Sequence, residues 1–357
     1  MTESGFYSSV QYLKVVRIEE EVENTRCYYL APNPEKGTAR LAEFRAGQYL
    51  SVIEKIGSMV LSRPYSLASS PRQARGGLYM LAISRVDDGI VSRYIHDNWR
   101  LGTEVTVSEP LGHFTYDPSK DAKTVVAAVG GGCITPIRSL AMAIADGEVD
   151  AELVLLYATD TLAGTMFQKD LKELEANCRR IRLVHVLRDE KRNGCEHGFI
   201  TAELIRKYAP EGEYSLFLCG PQGMRRFVEK QIEMLRIPQR FVKNELYGEY
   251  FGPSGEADYP ETVAPAFLVT VRLDGDVKTI TAASGVSLLR SLESAGIAVN
   301  ARCRSGECGW CRTRLLSGNV YTPKNPDGRK EADCPPGYIH PCYCFPLSDL
   351  VIEAPSA

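Results

Sequence analysis

The chain has 357 residues, long enough for two or three separate cores. Its 42 Lys and Arg against 45 Asp and Glu leave a formal net charge of −3, which gives no electrostatic reason to expect nucleic acid or an anionic membrane as partner. Residues 1–16 lack a basic start and a small-residue cleavage site, no apolar run approaches the roughly 18 residues of a membrane span, and eleven cysteines without a leader fit a reducing compartment, so a soluble cytoplasmic protein is expected.

From residue 10 to about 118, short runs at 11–18, 26–30, 48–53, 78–84 and 104–108 alternate apolar and polar residues between turn residues. That pattern predicts a small antiparallel barrel, with a short helix over 90–98. Arg63-Pro64-Tyr65-Ser66 places a cation, a ring and a hydroxyl at a strand end, and Gly89-Ile90-Val91-Ser92 opens the helix with free backbone N–H groups that suit an anion. Together they can hold a flavin, with Tyr65 on the ring, Ser66 at its edge, and Arg63 and the helix start on the phosphate. Taken singly, each is also what an ordinary strand or turn carries.

From about 122 to 248 the period changes. Residues 124–129 form an all-apolar run typical of a buried parallel strand, followed by Gly130-Gly131-Gly132-Cys133-Ile134-Thr135-Pro136 and a helix to about 145. The glycines let the backbone approach a pyrophosphate, while Thr135 suits a cap and Pro136 a first turn. Further strands over 153–158, 181–187 and 214–219, with helices over 166–175, 201–208 and 223–235, make a βαβ series and predict a doubly wound nucleotide-binding domain. The last strand runs into Cys219-Gly220-Pro221-Gln222-Gly223-Met224. Asp160, just past the second strand, suits a ribose 2′-hydroxyl and repels a 2′-phosphate, which favours NADH over NADPH.

Residues 251–266 are rich in Gly, Pro and acids and read as a linker. Beyond them, strands over 267–273 and 276–281 form a hairpin around Asp274-Gly275, and a short helix covers 287–295. Then comes Cys303-Arg304-Ser305-Gly306-Glu307-Cys308-Gly309-Trp310-Cys311, whose C-x4-C-x2-C spacing, closed by a distant cysteine, is that of a plant-type [2Fe–2S] loop. Gly306 and Gly309 permit the tight turns that bring amides to the sulfurs. Unrelated buried cysteines and a zinc site are the alternatives, and on spacing alone Cys334, Cys342 and Cys344 all compete to be the fourth ligand. Arg302, Arg304, Arg312 and Arg314 crowd the loop, either raising the cluster's potential and docking an acidic partner or, for Arg304, simply belonging to the recurring loop and, for the other three, solvated. The five histidines are scattered singly; His96 and His113 read as structural.

The ordered set Arg-x-Tyr-Ser, Gly-x-x-Ser, Gly-Gly-Gly-x-Ile-Thr-Pro and Cys-Gly-Pro-x-x-Met resembles the ferredoxin-NADP reductase superfamily over roughly residues 10–250. With a plant-type ferredoxin segment behind it, the whole chain is similar to three-domain reductases of the phthalate dioxygenase reductase type. The resemblance implies an antiparallel flavin-binding β-barrel (1–120), a doubly wound parallel α/β domain (121–250), the linker 251–266, and a β-grasp ferredoxin domain (267–357). It assigns Arg63, Pro64, Tyr65 and Ser66 to the flavin, and Gly89, Ile90, Val91 and Ser92 to its phosphates. Gly131, Gly132, Thr135, Pro136 and Asp160 fall to the nicotinamide dinucleotide, and Cys219, Gly220 and Pro221 to the nicotinamide end. Ser66, Cys219 and Glu245 would surround the hydride transfer. Cys342 becomes the fourth cluster ligand beside Cys303, Cys308 and Cys311, because the family's last cysteine precedes a segment like Phe345-Pro346-Leu347-Ser348-Asp349-Leu350. Cys133 departs from the family, which has glycine there. The implied cofactors are FAD, with FMN open, NADH or NADPH, and the cluster. The implied partner is a redox protein such as an oxygenase or demethylase, and the competing reading is a non-turnover relay subunit of a larger complex.

Overall fold

The computed structural model describes residues 10–245, 249–273, 275–324 and 335–354. Leu246, Tyr247, Asp274 and Cys334 lie outside the described residues.

The first strands are β1 (Val10–Val22), β2 (Thr25–Pro32), β3 (Tyr49–Ile56), β4 (Met59–Ser66), β5 (Tyr79–Ser84) and β6 (Glu104–Ser108). They form one sheet in the order β4-β3-β6-β1-β2-β5. The alternation follows from one buried face: in β1, Leu13 and Val15 are enclosed while Lys14 and Val16 are not. The ends of the sheet approach each other where the Ala68 amide donates to the Met80 carbonyl and Leu67 bridges Leu81, so the sheet curls toward a barrel. Helix α1 (Pro71–Arg75) begins with a Ser70/Gln73 capping box, and α2 (Ile90–Asn98) occupies the expected segment.

The second sheet is parallel throughout its pairings, in the order β10-β9-β8-β7-β11-β12. Its strands are β7 (Thr124–Gly130), β8 (Glu152–Thr159), β9 (Ile181–Leu187), β10 (Glu196–His197), β11 (Ser215–Cys219) and β12 (Val242–Glu245). Helices α3 (Ile134–Ala145), α4 (Gln168–Asn177), α5 (Ala202–Tyr208) and α6 (Gln222–Leu235) alternate with them. All seven residues of β7 are buried, because both of its faces are covered. Val125, Ala127 and Val129 pack with Ile137 and Leu140 of α3 and with Ala68, Met80 and Phe114 of the first sheet and its flanking segments. Val126 and Ala128 point the other way, onto Ile205 and Val228.

The third part contains β13 (Ala266–Leu273), β14 (Asp276–Ala283), α7 (Leu288–Ser294), β15 (Thr313–Ser317), β16 (Val320–Tyr321), β17 (Tyr338–Ile339), β18 (Phe345–Pro346) and β19 (Leu350–Glu353). Its main sheet runs β14-β13-β19-β15-β17, with β13 and β19 parallel near its centre. Ser287 caps α7 through the Arg290 amide.

By internal packing the chain divides into two compact units, residues 1–52 with 65–247, and residues 53–64 with 248–357. The first two sheets thus share a unit, while the β3–β4 turn and the start of β4 go with the C-terminal part. Among the described residues, no helix is long and apolar enough to cross a membrane.

Candidate functional site

In the C-terminal part, the side chains of Cys303, Cys308, Cys311 and Cys342 gather. Cys311 Sγ lies 3.3 Å from Cys342 Sγ, and the Cys303 amide points at Cys308 Sγ from 3.5 Å. Cys303 Sγ accepts from the amides of Ser305 at 3.4 Å, Glu307 at 3.2 Å and Cys308 at 3.4 Å. Burial alone would raise the Cys303 thiol, but hydrogen bonds from Cys308, Cys342 and the backbone amides outweigh it and hold it well below the ordinary value. A sulfur that accepts several amides is built to stay a thiolate ligand, and four gathered thiols are the ligand number a [2Fe–2S] cluster needs. Cys344 is buried next to Cys342, and its carbonyl accepts from the Leu288 amide.

The arginines of this loop are not alike. Arg304 is 1 % exposed, so it takes no part in a docking surface. It donates to Glu293 at 2.8 and 2.9 Å, and to Glu249 through Nε at 2.7 Å. Arg302 lies over the Trp310 ring, Arg312 over Tyr338, and Arg314 pairs with Glu353.

Strand β4 carries the predicted flavin set. Ser66 is 1 % exposed, and its Oγ has no hydrogen-bond partner among the described residues. A buried hydroxyl without a partner is costly unless a ligand completes it, so the site fits a flavin edge. Tyr65 is buried beside it. Arg63 donates to the neighbouring Ser62 carbonyl at 2.7 Å and to Glu293 at 3.3 Å. At α2, the Ser92 hydroxyl bonds within its own turn, to the Gly89 carbonyl and the Val86 amide. The anion-binding capacity of Gly89, Ile90, Val91 and Ser92 therefore resides in the first helical amides rather than in that hydroxyl.

The parallel sheet brings the nucleotide motifs to the C-terminal ends of its strands, where open α/β sheets take their ligands. Val129 is paired with Cys219, and Cys219 in turn with Glu245, so the ends of β7, β11 and β12 lie side by side. Cys219 and Glu245 are both buried. Burial, then the neighbouring Cys133 thiol, pushes the Cys219 thiol well above its ordinary value, so it is a neutral group and not a nucleophile. Gly131 takes φ 52°, and a Cβ there would meet nothing within 4 Å, which leaves the turn open to a phosphate. At Gly220 a Cβ would come 2.7 Å from Met224 Sδ, so the methionine of the motif packs where the glycine leaves room. Helix α3 starts at Ile134, one residue before Thr135, whose hydroxyl reaches the Gly132 carbonyl at 3.4 Å instead of capping. Gly132 lies in the short 3-10 turn Gly131–Cys133 that leads into α3, Pro136 in the first turn of α3, and Pro221 is the N-cap of α6. Asp160 is exposed and bonds Arg188 at 3.1 Å, and Arg188 also holds Asp189 at 2.9 Å.

Sequence reasoning missed the residues that tie the segment after β4 to α3. Arg138 donates to the Ala68 carbonyl and to Asp170, each at 2.5 Å, and Ser139 donates to the Ser69 carbonyl at 2.7 Å. A lone arginine in the apolar run Ile134–Ala145 was the available signal. Glu245 sits on a sixth strand, β12, that the sequence pattern did not announce. Lys243 of that strand reaches the buried Asp121 at 2.5 Å and the Thr115 carbonyl at 2.8 Å.

Comparison with known proteins accounts for the same three parts. The oxidoreductase FAD-binding domain matches residues 12–116, the oxidoreductase NAD-binding domain 128–230, and the 2Fe-2S iron-sulfur cluster binding domain 271–347. The last of these matches sets aside zinc and unrelated buried cysteines as readings of the loop. The chain is 31% identical, over 96% of both proteins, to the ferredoxin reductase component of 3-ketosteroid-9-alpha-monooxygenase from Rhodococcus rhodochrous. It is 26% identical to a subunit of 1,2-phenylacetyl-CoA epoxidase from Escherichia coli, again over 96% of both. Among solved structures, phthalate dioxygenase reductase superposes with a TM-score of 0.67 at 25% identity, covering 96% of this chain and 98% of the other. This protein belongs to the family of three-domain oxidoreductases that join an FAD-binding, an NAD-binding and a [2Fe–2S] domain in one chain.

Proposed function

We propose that this reductase oxidises NADH and passes single electrons through its cluster to the oxygenase component of a two-protein system. A flavin accepts two electrons as a hydride and releases them singly, which is the conversion needed between nicotinamide and an iron–sulfur cluster. The chain's own residues supply binding, orientation and tuning. The orphaned Ser66 hydroxyl carries the reading, since it is held for a ligand atom at the flavin edge. Tyr65 covers the ring, Arg63 and the amides of Gly89–Ser92 take the phosphate, and Gly131, Gly132 and Pro136 form the nicotinamide dinucleotide's turn. Cys219 and Glu245 line the nicotinamide end, and Cys303, Cys308, Cys311 and Cys342 hold the irons.

The preference for NADH rests on charge. Asp160 and Asp189 together outnumber Arg188, so the end of β8 repels a 2′-phosphate. The relatives named as monooxygenase and epoxidase components support an oxygenase as acceptor. Anaerobic titration of the purified holoprotein tests the reading: NADH bleaches the flavin and then the cluster, far faster than NADPH does. Absence of bleaching with either nucleotide would leave only a relay role. Replacement of Asp160 by Asn should narrow the ratio of kcat/KM for the two nucleotides.

A further inference from the structure

The cluster loop and the start of β4 share one buried carboxylate. Glu293 is 5 % exposed and lies one residue from the C-terminal end of α7, where the helix dipole opposes a negative charge. Its position is sustained by two guanidinium groups. Arg304 engages both carboxylate oxygens, at 2.8 and 2.9 Å, and Arg63 reaches Oε2 at 3.3 Å. Glu249 holds the other side of Arg304 and is itself approached by Arg290 at 3.7 Å. All of these residues belong to the second compact unit.

Arg304 has φ 59°, a left-handed conformation that a long side chain rarely adopts unless its surroundings enforce it. It lies between Cys303 and Ser305, and the amides that follow are the ones aimed at Cys303 Sγ. Those N–H groups favour the reduced cluster by stabilising charge on sulfur. The two carboxylates that clamp the guanidinium therefore also fix the direction of the amides. Arg63 shares Oε2 of the Glu293 carboxylate with Arg304.

We propose that Glu293 is a positioning residue for the [2Fe–2S] cluster. Through Arg304 it sets the amide geometry, and hence the potential, of the cluster. The inference rests on the flavin-to-cluster route proposed above.

The test is Glu293→Asp in the full-length holoprotein, which keeps the charge and shortens the reach so that one carboxylate no longer spans both arginines. The cluster potential, followed by dithionite titration with EPR, should move to more negative values. Cluster reduction after mixing with NADH should slow severalfold, since a cluster of lower potential offers the electron a smaller driving force. Should that variant lose its cluster, Glu293→Gln, which keeps the length but offers one acceptor oxygen, is measured instead, with the same expected slowing. A variant that holds both cofactors and shows the wild-type potential and cluster reduction rate overturns the proposal. Dithionite titration needs no nicotinamide, so failure of the wild type to oxidise NADH would count against the proposed function and leave the potential to judge Glu293.

Discussion

Cys311 Sγ and Cys342 Sγ lie 3.3 Å apart although 31 positions separate them in the chain. The approach is made by β15, which leads away from Cys311, and by the short turn at Pro341–Tyr343, which carries Cys342 back. Cys344 is just as buried but lies in extended backbone beyond that turn. Cys342→Ser should therefore abolish the [2Fe–2S] absorbance and EPR signals, whereas Cys344→Ser should keep both. Iron and sulfide content of the two purified variants checks the distinction.

Ser66 offers a prediction with opposite signs in apo and holo protein. Its buried Oγ has no protein partner among the described residues, so Ser66→Ala removes an unsatisfied group and should leave the apoprotein's melting temperature unchanged or raised. In the holoprotein the same change should slow flavin reduction by NADH by about 100-fold, the scale of losing a hydrogen bond at a reacting centre. Scanning calorimetry and stopped-flow absorbance read the two effects separately.

Gly220 and Met224 predict a compensating pair. A Cβ at residue 220 would meet Met224 Sδ at 2.7 Å, so Gly220→Ala should displace the methionine and raise the KM for NADH. The double variant with Met224→Ala should recover most of that loss. Non-recovery would mean that position 220 acts through its backbone and not through the methionine.

The Lys243–Asp121 pair anchors β12, and with it Glu245, to the segment before β7. The Asp121 side chain is fully enclosed, and Lys243 is its partner at 2.5 Å. Lys243 is partly exposed and keeps its bond to the Thr115 carbonyl, so Asp121→Asn should cost about 1–3 kcal/mol in denaturant unfolding of the first unit. Asp121→Asn combined with Lys243→Met should cost less than the single change.

His96 makes stability depend on pH. Burial lowers its folded pKa below the ordinary value of 6.5, and its Nε2 lies 2.8 Å from the Ile83 carbonyl, to which it donates. Below the unfolded pKa the unfolded chain therefore binds the proton more readily. The stabilisation is fully present above about 6.5 and is lost as pH falls toward the folded value. His96→Gln should flatten the fall in melting temperature between about pH 7 and pH 5; His185, shifted the same way by its own burial, retains its share.

The strands were legible wherever one principle dominated. β7 could be read because a run buried on both faces has no polar residue to interrupt it, and α2 because Gly89 opens it without a competing signal. The cysteine loop was legible because ligand spacing is local. Strand β12 was not, since four residues ending in Asn244-Glu245 carry no apolar pattern and are held by pairing with β11. The role of Arg304 was also hidden. Its place in the recurring loop beside three other arginines suggested a loop residue or a docking cation, whereas its partners Glu249 and Glu293 come from segments that only the fold brings to it.

The central claim is an ordered route from nicotinamide through flavin to cluster, and rapid freeze-quench EPR after anaerobic mixing with NADH, run beside stopped-flow flavin absorbance, tests it most directly. The account predicts that the flavin bleaches first, that the reduced-cluster signal follows, and that Cys308→Ser protein bleaches its flavin at the wild-type rate without ever developing that signal. A cluster signal that rises before flavin bleaching, or that survives when the flavin has been removed, would contradict it.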